Sequence, residues 1–74
     1  MRRSEFDRAV ADEFGARGAA LVADLVLPQL GSRTAAEALA AGIAPGEVWL
    51  ALCIENDVPP QRRYGAGRLE PGRR

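Results

Sequence analysis

Residues 48–54 read VWLALCI, seven consecutive apolar side chains. Pro45 stands before the run and NDVPP follows it, so the segment has a helix start and a helix stop. A helix that is apolar all the way round is stable only when other elements cover it. A chain of 74 residues has material to surround one such helix. Either this helix is the core on which the rest packs, or part of it is left exposed for a partner. In the second case the patch centres on Trp49 and Leu50, with Ile54 on the far stripe, because exposed aromatic anchors favour interfaces. The sequence leaves both readings open.

The segments around this helix are also helical in pattern. Ser4 is a suitable N-cap with Asp7 three residues on, and Phe6, Val10 and Phe14 recur at four-residue spacing up to Gly15. This predicts a first helix over residues 5–14. AALVADLVLPQLG (19–31) predicts a second, mostly buried helix with Asp24 as its only charge, ending near Val26 or Leu27 because Pro28 restricts the residue before it. Thr34 and Glu37 have capping-box spacing, so a short third helix should run over residues 35–41 and close at Gly42. No strand-like alternation is visible. The expected fold is all-α: a small bundle of about four short helices over residues 1–59, with a flexible Arg/Gly-rich tail at 60–74.

Size and composition exclude most chemistry. Cys53 is alone, so no disulfide forms within one chain, and without histidine a metal site is not expected. Histidine and lysine are both absent, which removes the usual general base and the Schiff-base amine. Burial within the apolar run should keep the Cys53 thiol inert. Ser4 and Thr34 are better explained as caps than as nucleophiles. The expectation is therefore no catalytic residue, no cofactor and no small-molecule substrate. The acidic residues that follow Arg2 and Arg3 do not suit a signal sequence, and no run is long enough to span a bilayer, so a cytoplasmic protein is expected.

Residues 34–53 have the outline of a helix-turn-helix, hinged at Gly42. Reading DNA requires base-contacting side chains at the start of the second helix. Here that start is Ala44–Pro45–Gly46–Glu47, without a cation, and Glu47 and Glu55 oppose phosphate. Charge adds to the objection: residues 1–57 carry five Arg against nine acids, a net −4. Residues 58–74 carry five Arg against Glu70 alone, a net +4. Any nucleic-acid contact would thus fall to the tail, through Arg62, Arg63 and Arg68.

SEFDRAVADEFG, LGSRTAAEALAAG and PGEVWLALCIENDVPPQRR, in this order and spacing, resemble an uncharacterised family of small actinobacterial proteins, a domain of unknown function. The similarity covers residues 1–63. The chain departs from the family pattern at Asp7, where an aromatic is common, and at Ala44, where an acidic cap is common. The resemblance implies a small helical cytoplasmic protein, often encoded near recombinase A, and no established activity. Two functions are carried forward: a non-enzymatic helical module that binds a protein partner or itself, and a DNA-associated accessory protein using the basic tail.

Overall fold

A computed structural model describes residues 1–63. Among these, helix α1 runs Arg3–Phe14, a 3-10 turn Gly15–Arg17 leads into α2 (Gly18–Asp24), and strands β1 (Val26–Leu27) and β2 (Arg33–Thr34) flank a second 3-10 turn. Helices α3 (Ala35–Ala40), α4 (Pro45–Glu55) and α5 (Pro60–Arg63) complete the described residues. The protein is mostly helical with a small antiparallel hairpin.

Helix α4 is the core helix. Val48, Trp49, Ala51, Leu52 and Cys53 are all buried, covering most directions around its axis. Phe6, Ala9 and Val10 of α1, Leu27 of β1, Ala35 and Ala38 of α3, and Val58 close over it. The apolar run therefore encodes a centre with neighbours on several sides.

Helix α1 begins at Arg3, two residues before the expected start, and Ser4 is not its cap. The Glu5 carboxylate accepts the Arg2 backbone N–H at 2.6 Å, so an acid in the first turn serves the helix terminus in place of a hydroxyl. That bond holds the Glu5 carboxyl below its ordinary range. Gly15, at φ +59°, ends the helix in a backbone region that favours glycine.

Helix α2 departs most from expectation. It stops at Asp24, Leu25 turns extended, and Val26 and Leu27 pair with Thr34 and Arg33. The hairpin carries Leu27 into full burial against the core while Val26 stays half exposed. Two-residue strands are too short to show alternation, which is why an all-α pattern was expected. Nor is α2 mostly buried: within it only Gly18 is, Leu21 and Val22 are half-buried, and Ala19, Ala20 and Ala23 face out.

Gly18 brings α2 onto α1. A Cβ at Gly18 would lie 2.6 Å from Val10 Cγ1 and 3.3 Å from the Val10 carbonyl oxygen. A β-branched side chain in a helix has little rotamer freedom with which to yield. Gly18→Ala should therefore overpack the contact, costing about 1–3 kcal/mol. This outweighs the gain of up to ~1 kcal/mol in helix propensity. Thermal unfolding should show a lower midpoint for Gly18→Ala. It should show no loss for Gly46→Ala, whose Cβ would meet Met1 at an ordinary 3.8 Å.

The third helix follows its sequence signals closely. Thr34 Oγ1 accepts the Glu37 backbone N–H at 3.1 Å, and the Glu37 carboxylate accepts the Thr34 backbone N–H at 2.9 Å, a reciprocal capping box. At its other end Ile43 N–H donates to the Ala38 carbonyl and Gly42 N–H to that of Leu39, a Schellman closure with Gly42 at φ +93°. Helix α4 ends in a related way. Val58 N–H donates to the Cys53 carbonyl at 2.9 Å, while Asp57 takes the positive φ of 57° that glycine usually fills. The start of α4 has no side-chain cap at Ala44.

The segment expected to be tail begins with ordered structure. Pro60–Arg63 forms one helical turn packed on α4, so the folded region continues into the segment expected to be tail. Arg68 lies outside the described residues, as does the rest of that segment.

Candidate interaction groove

The residues singled out on α4 separate. Of the two readings left open for it, Trp49 takes the inward one, only 2% exposed. Its ring meets Phe14 edge-on with centroids 6.2 Å apart, and its indole N–H donates to the Arg63 carbonyl at 2.6 Å. An indole placed this way satisfies both its apolar body and its polar edge inside the fold. Leu50 is half-buried, whereas Ile54 is 48% exposed and stands with Glu47 on the outward side of α4. That leaves a single large apolar side chain open to solvent on this helix, well short of a patch.

The tail arginines within the described residues are engaged too. Arg62 forks onto the Glu13 carboxylate, with Nε at 3.2 Å from both oxygens and a terminal nitrogen at 2.9 Å from Oε2. The pair draws the Arg62 pKa upward through that hydrogen bonding. Arg63 Nε donates to the Val58 carbonyl at 3.0 Å. Both guanidinium groups are used as staples.

The thiol of Cys53 is fully buried, and its pKa is pushed up to about 11, chiefly by desolvation, with Arg63 lowering it and Glu13 raising it. A neutral buried thiol is a poor nucleophile at neutral pH. Other charged side chains are also held by neighbours: Arg3 pairs with Asp7 at 3.2 Å and lies 5.9 Å over the Phe6 ring.

A concave surface lies elsewhere, between α1 and α2. An open groove of about 510 Å³ is lined mainly by Val10 and Ala11 of α1, Ala16 of the connecting turn, and Ala19 and Val22 of α2. Asp7 is the one charged side chain on it, and Arg3 already pairs with that carboxylate. Small side chains make the groove because they leave the ridge between larger neighbours low. Ala19, one of the three outward-facing alanines of α2, lies on its wall.

Sequence reasoning did not point to this surface. An apolar segment with one charge reads as buried, and only the tertiary packing reveals that α2 touches α1 and α3 while making little contact with α4. The role of Glu13 was equally hidden, since its partner lies 49 residues away.

Comparison with known families identifies an uncharacterised domain of unknown function. A family model described as a protein of unknown function (DUF3046) matches residues 1–61. The chain belongs to this family. The match spans every described helix up to the first residues of α5, so the groove and the core helix both lie within the family's domain. No curated protein and no solved structure matches the chain. Among the described residues, no helix is long and apolar enough to cross a membrane.

Proposed function

We propose that the protein is a small, non-enzymatic interaction module of the cytoplasm that offers α2 and its groove to a protein partner. The observation that carries this reading is the position of α2. A helix whose only charge is Asp24 would ordinarily be covered on most sides, yet here Ala19, Ala20 and Ala23 face solvent beside the groove. Small side chains along a helix let another backbone approach closely, which suits a helix or extended segment better than a small ligand.

The absence of catalysis in this proposal is supported by what the fold does with its reactive groups. Cys53 is buried and neutral, Glu5 and Glu37 serve helix termini, and Glu13 is committed to Arg62. The alternative, a DNA-associated accessory protein in recombination or repair, draws on the helix-turn-helix outline of α3 and α4. We read that hairpin as scaffold, because Val48 and Trp49 of its second helix face the core and Arg62 and Arg63 are engaged within the chain.

The test uses exposed positions that can change without harming the core. Ala19→Glu and Ala23→Glu should each leave stability within about 0.5 kcal/mol, as expected for surface substitutions. In affinity isolation from the native cytoplasm and in sedimentation at high concentration, both should abolish the association seen with the unaltered chain. If the variants keep the same partners and the same sedimentation, α2 is not the binding surface and the reading fails.

A further inference from the structure

The one-turn helix α5 is fastened in an unusual way for so short an element. A single helical turn has almost no stability of its own, because nucleation costs more than one hydrogen bond returns. Its attachments to the body are side-chain-mediated: Glu13 of α1 grips Arg62 in a fork, and Trp49 of α4 donates to the Arg63 carbonyl. Among the described residues its other bonds are local, from Arg62 N–H to Pro59 and from Arg63 Nε to Val58. The Arg62 side chain is 58% exposed, so the fork is open to water and salt on its outer side, although Glu13 is only 11% exposed. Beneath the turn lies the Trp49 stripe of α4. Cys53, one helical turn from Trp49, is near enough to feel the charges of both Arg63 and Glu13.

We infer that residues 60–63 form a detachable strap, latched by the Arg62–Glu13 fork and the Trp49–Arg63 hydrogen bond, that opens without unfolding the body and uncovers the Trp49–Cys53 face. Elements with few buried apolar contacts and solvent-open fastenings open at lower free energy than the core. None of residues 60–63 is buried, whereas Trp49, to which Arg63 is bonded, is. The inference is independent of the role given to α2, since the strap covers a different helix.

The chain supplies its own reporters: its single tryptophan, bonded to the strap, and its single cysteine, buried one turn further along the same helix. The experiment is labelling of Cys53 in the full chain by an aromatic disulfide reagent at fixed pH, across low denaturant concentrations. A detachable strap gives labelling with a shallow denaturant dependence, because opening exposes little surface compared with global unfolding. Arg62→Ala and Glu13→Gln should each speed labelling by about fivefold, the size expected for losing one well-aligned exposed pair. Raising salt should speed labelling of the unaltered chain and leave Arg62→Ala unchanged, since the variant has no fork to screen. Trp49 emission should shift to the red in the variants while helix content by circular dichroism is kept. Labelling that follows the full slope of global unfolding would overturn the inference. So would equal rates in the unaltered chain and both variants.

Discussion

Trp49→Ala is expected to destabilise the protein by about 3–5 kcal/mol, the range for removing a buried aromatic side chain. Three losses coincide at this position. The indole is 2% exposed, so nearly all of its packing disappears. The edge-on contact with Phe14 is lost, and the Arg63 carbonyl loses its donor. A domain of this size has a total stability of roughly 4–11 kcal/mol at ordinary per-residue values, so the variant should be largely unfolded well below the normal midpoint. Trp49→Phe separates the parts. It keeps most of the ring volume and loses the N–H donor, so its cost should be only about 1–2 kcal/mol, much of it from the unpaired carbonyl. Chemical denaturation monitored by circular dichroism measures both. A Trp49→Ala protein as stable as the original would mean that the ring does not pack in the core.

Leu52→Ala is the second large effect, expected at about 2–5 kcal/mol. Leu52 is fully buried on the central helix, with α1, α3 and the hairpin packed around it. Neighbours held on several sides cannot collapse into the space of three missing carbons, so a cavity term adds to the lost transfer free energy. Its carbonyl also anchors the end of the helix, accepting from the Asn56 side chain at 2.8 Å, and that bond is untouched by the substitution. Ile54→Ala, two residues along the same helix, is the internal control. With Ile54 48% exposed, its loss should stay below about 1 kcal/mol. Equal costs at the two positions would contradict the orientation of α4.

Both predictions turn on which side of α4 faces in, and this was the point on which the sequence was silent. Seven apolar residues in a row announce a helix that needs cover, but a uniform run has no amphipathic phase. It cannot say that Trp49 is covered and Ile54 is not. Local chemistry is realised in α3 and at the start of α4, although Ser4 does not cap α1. Thr34 and Glu37 form their capping box, Gly42 closes α3 with a positive φ, and Pro45 opens α4. Each of these signals acts over three or four residues, so no distant contact is needed to realise it.

The reading failed where distant contacts compete with local preference. Residues 25–27 have a helical composition, yet pairing with Arg33 and Thr34 and burial of Leu27 draw them out of α2. The arginines at 62 and 63 look like a solvated basic tail in sequence, and become staples because Glu13 and the α4 end lie beside them once the chain is folded. The groove between α1 and α2 belongs to the same class. Its walls are small residues that signal nothing individually, and its existence depends on Gly18 letting the two helices approach.

The sequence by itself determined the mostly helical class, the cap and glycine closure of α3, the proline start of α4, and the presence of one helix apolar all the way round. These follow from periodicity and from hydrogen bonds closed within a few residues. Tertiary structure alone decided that Trp49 points inward, that α2 lies on the outside, and that the chain continues past residue 59 into a docked turn. The physical reason is the same in each case. Burial is a property of what surrounds a side chain, and for this chain the surroundings come from segments far apart in sequence.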